Sequence, residues 1–268
     1  MRIGIIGHGF VGSAIADAYS YNDLVIRDPK LENSASLDKF NNCDAVFICV
    51  PSPTNTDGSC DTSILEGVLK ELLFSSINKQ IPIISKVTAP PSVYERLGKE
   101  YPNLVHCPEF LTAANASADY QNSNYFILGG QKEWCIKARD VIHEGVPLVH
   151  EKFLITDIKS AALYKYMMNS YLAMKVTFMN DFKELADAHN IDFKEMTGLS
   201  VFDDRIGYTH MSVPGPDGKY GWSGACFPKD IAAICKEALD HNVPSEFKLM
   251  QSVNLHNNKH RMKNDKPV

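Results

Sequence analysis

The chain has 268 residues, 44% of them hydrophobic and 22% charged, with a formal net charge of -5. This length suits one large or two modest domains, and the slight acidity gives no reason to expect nucleic acid or an anionic membrane surface as partner. No apolar run approaches the ~20 residues that span a bilayer. Seven cysteines form an odd set with no CxxC pair and no His/Cys metal spacing. They argue against a disulfide framework and a metal site, and for a reducing cytoplasm. The opening Met1–Gly7 is too short in its apolar part for a signal peptide, and the basic residues Lys259, His260, Arg261, Lys263 and Lys266 read as a solvated tail.

Arg2 to Ile6 reads as a short buried strand, followed at once by Gly7-His8-Gly9-Phe10-Val11-Gly12 and a helical stretch of small residues. A bare GxGxxG is a weak signal, but strand before and helix after is the context a dinucleotide site demands. Gly7 permits the tight turn, Gly9 lets a pyrophosphate approach the backbone, and Gly12 lets helix and strand pack closely. A second strand, Leu24-Val25-Ile26, ends at Arg27-Asp28. Asp28 is placed to accept hydrogen bonds from ribose hydroxyls, which favours NAD; Arg27 is the one residue that would suit a 2′-phosphate. Strands follow at Ala45–Val50 and Ile81–Ser85, with a helix predicted over Thr62–Phe74 between them and a further strand at Phe126–Gly130. Alternating strand and helix predicts a Rossmann-like, doubly wound parallel sheet. Its ligands lie beyond the strand ends, where Pro51-Ser52-Pro53-Thr54, Lys86-Val87-Thr88 and Cys107-Pro108-Glu109-Phe110 fall.

From Ile158 to His189 the sequence has neither Pro nor Gly, and its middle is apolar on almost every face. Such a helix belongs in a core or between subunits. Lys165 and Asn169 stand out in it, one turn apart; the plainer reading of Lys165 is a head that snorkels to water. A loop rich in Gly and aromatics, Pro214 to Gly224, then leads to Cys226-Phe227-Pro228-Lys229-Asp230. The loop is either a binding segment for sugar or phosphate or a mobile surface loop. Pro228 is placed to start a helix. Cys226 would then face the positive end of that helix with Lys229 beside it, both favouring the thiolate, while Asp230 sits one turn on. The change from alternating strands to helix, between Val149 and Ile158, predicts two domains: residues 1–152, and a mostly helical 153–268 carrying the Cys loop.

Together these segments resemble the nucleotide-sugar 6-dehydrogenases. The resemblance is carried by the glycine fingerprint, Val50-Pro51-Ser52-Pro53-Thr54, Lys86-Val87-Thr88-Ala89-Pro90-Pro91, Pro108-Glu109-Phe110-Leu111, Lys165…Asn169…Ala173-Met174-Lys175, Asp204-Arg205-Ile206-Gly207 and Gly224-Ala225-Cys226-Phe227-Pro228-Lys229-Asp230. It implies NAD as cofactor, held by Gly7, Gly9, Phe10, Val11, Gly12, Asp28, Val50, Pro51 and Thr88. It implies four-electron oxidation of the C6 alcohol of a nucleotide sugar, UDP-glucose foremost, to a uronic acid. Cys226 would carry a thiohemiacetal and then a thioester, and Lys165 and Asn169 would stabilise the oxyanion. Thr88 and Asp230 would hold water, and Glu109 would act as general base. Glu109, Phe110, Leu111, Lys165, Asn169, Arg205, Tyr220, Gly221 and Gly224 would contact substrate, and the apolar helix would form a homodimer.

The sequence departs from the family pattern at Ala113, where a second acid is usual, and at Trp222-Ser223, where an aromatic-Gly pair is common. It also stops in what would be the helix leading to a third domain. Two other readings stay open: a two-electron dehydrogenase of the β-hydroxyacid type, and an NAD-binding partner or remnant without turnover.

Overall fold

The computed structural model describes residues 1–74, 80–112, 114–146 and 152–263, so Ala113, Val149 and Lys266 lie outside the described residues. The chain divides into two compact units. The first is Met1–Asn55 with Cys60–Lys165, and the second is Thr56–Ser59 with Tyr166–Val268.

The first unit alternates strand and helix as the apolar runs require. It contains β1 (Arg2–Ile6), α1 (Phe10–Ala18), β2 (Asp23–Arg27), β3 (Ala45–Ile48), α2 (Ser63–Phe74), β4 (Ile83–Ser85) and α3 (Pro91–Glu100). It continues through β5 (Leu104–His106), α4 (Ala116–Gln121), β6 (Tyr125–Gly129), α5 (Lys132–Gly145) and β7 (Lys152–Thr156). The sheet order is β2-β1-β3-β4-β5-β6-β7. Successive side chains point to opposite faces, so each central strand feeds two cores. Ile5, Phe47, Ile84 and Val105 pack with Ile15, Tyr120 and Ile142 on one face. Val46, Ile48, Ile83 and Leu104 pack with Leu65, Leu69 and Tyr94 on the other.

Two features differ from the sequence reading. The sheet is not wholly parallel, because β6 runs antiparallel to β5. A strand buried on both faces is apolar throughout and carries no mark of its direction. Between these strands the described residues include one six-residue helix, α4. The second feature is β7, which pairs parallel with β6 and carries the sheet to Thr156. It begins at Lys152, the last residue of the expected first domain, and the first unit runs on to Lys165. The apolar run of β7, Phe153-Leu154-Ile155, leaves Leu154 and Ile155 exposed, unlike the buried central strands.

The division between units falls within α6 (Ile158–Ala188), the 31-residue helix that the Pro- and Gly-free stretch predicts. The second unit continues with α7 (Phe193–Gly198), α8 (Phe227–Asp240) and α9 (Lys248–Lys263). Its inner side gathers Ala173, Trp222, Ile231, Met250 and Val253 into one cluster. Met179, Ala186, Phe193 and Met211 form a second. The opposite side of α6 leaves Met167, Tyr171, Phe178, Phe182 and Leu185 exposed. Among the described residues no helix is long and apolar enough to cross a membrane.

Candidate active site

In the first unit the three fingerprint glycines answer to three different constraints. Gly7 has φ +93°, and a Cβ there would lie 2.6 Å from the Cys49 carbonyl oxygen. A Cβ on Gly12 would lie 2.0 Å from the Gly7 carbonyl oxygen. Among the described residues nothing lies within 4 Å of a Cβ built on Gly9, the N-cap of α1. Packing therefore demands Gly7 and Gly12, whereas at Gly9 the open space suits a ligand that comes close to the backbone. The α1 N-terminus supplies unpaired N–H groups and a positive dipole end for an anion. Phe10 and Val11, the first residues of α1, flank that opening.

Asp28 stands at the end of β2, beside this turn. Its Oδ2 accepts the His8 N–H at 2.6 Å and its Oδ1 accepts the Lys30 N–H at 2.8 Å. These bonds, that from His8 first, hold its carboxyl below the usual range, so it is an anion ready to accept from ribose hydroxyls. Arg27 is engaged elsewhere, on Glu71 at 3.3 Å. The glycines and Asp28 thus fit a dinucleotide with free ribose hydroxyls. The strand ends that follow, past Val50 and Pro51, are joined where the Ser52 hydroxyl donates to the Thr88 carbonyl at 2.7 Å.

The same unit carries a buried ion pair. Lys165, 4% exposed, faces Glu109, 7% exposed. Its Nζ lies 3.3 Å from Glu109 Oε1 and also donates to the Glu109 carbonyl, 5.1 Å from the centre of the Phe110 ring. Glu109 Oε2 accepts the Leu111 N–H at 2.8 Å. Lys165 therefore does not snorkel to water; its ammonium is held inside by a carboxylate, a carbonyl and an aromatic face. Behind it lies a second buried ammonium that sequence reading left unassigned. Lys86 Nζ donates to Cys107 Sγ at 3.2 Å and to the Pro108 carbonyl at 3.5 Å, fixing the turn that presents Glu109.

In the second unit Pro228 sits in the first turn of α8 and Cys226 is its N-cap. The Cys226 carbonyl accepts the Asp230 N–H at 2.9 Å. Asp230 is 1% exposed; its Oδ2 accepts from Asn169 Nδ2 and its Oδ1 from Lys229 Nζ, both at 2.5 Å. The thiol therefore lies at the positive end of α8, with a buried, doubly paired carboxylate one turn along. The loop before it is tied down rather than loose. Its Gly215 N–H donates to the Lys219 carbonyl at 2.8 Å, and Arg261 Nη1 donates to Asp217 Oδ2 at 2.8 Å and to the Tyr220 carbonyl at 3.4 Å. Gly221 and Gly224 both have positive φ. Arg205 is exposed and paired with Asp203 at 2.6 Å. Lys175, named only as part of a motif, donates to the carbonyls of Ile206 and Gly207 at 3.0 and 2.9 Å and so shapes the turn after Arg205.

The NAD binding domain model of the UDP-glucose/GDP-mannose dehydrogenase family matches residues 21–146, and the central domain model of that family matches residues 159–259. The chain belongs to this family. Its members are NAD-dependent nucleotide-sugar dehydrogenases, and NAD is the cofactor of its first unit. The chain is similar to the UDP-glucose 6-dehydrogenase of Rickettsia conorii, 30% identical over 234 residues, which cover 84% of this chain and 51% of that protein. Relatives of this kind are longer, and the chain spans between 50% and 65% of their length. In fold it is similar to a UDP-glucose dehydrogenase from Pyrobaculum islandicum. The TM-score is 0.76 at 22% identity, over 96% of this chain and 68% of that one. A 3-hydroxyisobutyrate dehydrogenase from Mycobacterium tuberculosis shares the fold with a TM-score of 0.72 at 16% identity, over 97% of this chain and 94% of that one.

Proposed function

We propose that this chain oxidises the C6 alcohol of a nucleotide sugar, UDP-glucose first among candidates, to a uronic acid. The observation that carries this reading is Cys226 at the N-cap of a helix whose first turn holds the buried Asp230, itself bonded to Asn169. Alcohol oxidation that stops at the carbonyl has no use for such a thiol. Oxidation to the acid does, because an aldehyde carbon must first add a nucleophile, here the thiol sulfur, before it can lose a second hydride.

NAD⁺, when bound, accepts one hydride in each of the two oxidations. Cys226 Sγ bonds to the aldehyde carbon, and the carbonyl oxygen takes a proton to become the hydroxyl of a thiohemiacetal. Once that carbon has given up its second hydride and the hydroxyl its proton, it is a thioester. Water then attacks, the C–S bond breaks and the thiolate leaves, so one alcohol and one water become a carboxylate with loss of four electrons. Lys165 and Asn169 supply N–H donors for the oxyanion in these steps. Asp230 and Thr88 hold the water, and Glu109 takes the proton. Phe110, Leu111, Arg205, Tyr220, Gly221 and Gly224 contact the sugar or its nucleotide. The exposed apolar residues of α6 pair two copies into a homodimer, which light scattering at micromolar concentration would detect and a monomer would refute.

The test is turnover of a panel of nucleotide sugars and small hydroxyacids. With UDP-glucose the wild type forms uronate, and Cys226→Ala loses acid formation by on the order of 10³-fold or more while binding NAD⁺ normally. Oxidation of a hydroxyacid but of no nucleotide sugar would instead favour the two-electron reading, which also uses Lys165 and Asn169. Tight NAD⁺ binding without any turnover would favour the non-catalytic one.

A further inference from the structure

Two asparagines in mid-helix positions have no place in the chemistry above. Asn180 on α6 is 1% exposed and Asn257 on α9 is 3% exposed. Polar side chains are this deeply buried only when their hydrogen bonds are met, and each of these two holds one of the adjacent residues Gly221 and Trp222. Asn180 Oδ1 accepts the Gly221 N–H at 2.9 Å, while its Nδ2 donates to the Val176 carbonyl at 2.8 Å. Asn257 makes a two-point pair with the main chain of Trp222, accepting its N–H at 2.7 Å and donating to its carbonyl at 2.9 Å. The Trp222 indole N–H in turn donates to Thr177 Oγ1 at 2.9 Å.

These bonds make a clasp around Gly221-Trp222, four residues ahead of Cys226. No room is left for a side chain at 221, where a Cβ would lie 2.6 Å from Asn257 Oδ1. From the clasp the path to the sulfur is short. The Trp222 ring meets the Phe227 ring edge-on, centroids 6.1 Å apart, and Phe227 opens α8 directly after Cys226. We infer that Asn180, Asn257, Thr177 and Trp222 are positioning residues, which fix the approach of the chain to α8 and thereby the place of the Cys226 sulfur. The inference rests on the reading of Cys226 as nucleophile given above. A loop of glycines would otherwise be free to open locally, and a nucleophile displaced by about 1 Å can lose on the order of 10² in rate.

The experiment compares Asn257→Ala, Thr177→Val and Thr177→Ser with the wild type in the full chain, using UDP-glucose and NAD⁺. The Asn257→Ala and Thr177→Val variants should lose about tenfold or more in kcat, with KM and NAD⁺ affinity within about twofold. Thr177→Ser, which keeps the hydroxyl, should stay near the wild type. Alkylation of Cys226 by iodoacetamide, followed by peptide mass spectrometry, should accelerate about fivefold or more in the two impaired variants as the loop opens. If Asn257→Ala does not fold, the Thr177 pair decides alone. Unchanged kcat and unchanged alkylation in Thr177→Val would overturn the inference. Should the wild type itself turn over no nucleotide sugar, the reading of function fails, and the alkylation rates still decide whether the clasp holds the sulfur.

Discussion

The glycine turn of the first unit and the cysteine loop of the second, which on the function proposed each place a reactive partner at the start of a helix, are built by opposite means. The turn is built from neighbours in sequence: β1, three glycines, α1 and an acid at residue 28 all fall within the first 28 residues. The loop is built from distance. Its conformation depends on Asn180, 41 residues before Gly221, and on Asn257, 35 residues after Trp222. A site made of local contacts can be read from a motif, whereas one held by remote side chains shows only its tip, here Cys226-Phe227-Pro228.

Four substitutions sharpen that contrast within the first unit. The largest effect is expected at a long-range feature there, the Lys165–Glu109 pair. Lys165→Met leaves a buried carboxylate without its partner and should cost about 3–5 kcal/mol in urea unfolding. Adding Glu109→Gln should recover much of that loss, showing that the missing partner and not lost packing was responsible. Next come the glycines. Gly12→Ala forces a methyl group onto the Gly7 carbonyl and should destabilise by about 3 kcal/mol. Gly9→Ala meets nothing and should change stability by less than about 1 kcal/mol, yet weaken NAD⁺ binding in calorimetry by about tenfold or more. Equal effects at the two glycines would mean that both serve packing alone.

The last effect is a dependence on pH. Burial, with the nearby Lys86 and Lys165 charges, pushes His106 from its ordinary 6.5 down to about 3. The folded chain therefore keeps it neutral where the unfolded chain protonates it. Stability from this group is intact above pH 6.5 and falls as pH drops toward 3, by up to about tenfold in the folding equilibrium per pH unit. Replacing it by Phe, which preserves stacking on Tyr94, should flatten that slope in unfolding curves measured between pH 4 and 7.

Much of this was legible in the sequence, for reasons that can be named. A Pro- and Gly-free apolar stretch permits little but α6, and a Pro two residues after a Cys predicts the start of α8. The acid at 28 follows from its strand. What stayed hidden had no local signature. The reversal of β6 is invisible because a strand buried on both faces looks alike in either direction. Asn180 and Asn257 resemble solvent-facing helix positions until the loop they hold is present. Likewise Lys165 reads equally as a snorkelling or a paired lysine, and only the turn fixed by Lys86 brings Glu109 to it.

One ratio tests the central claim most directly: the NADH formed per molecule of UDP-glucose consumed by the wild-type chain. Two, with uronate as product, is the value required if a covalent bond to Cys226 carries the carbon from aldehyde to acid. A ratio of one, with free aldehyde accumulating while Cys226 is intact, would contradict the account.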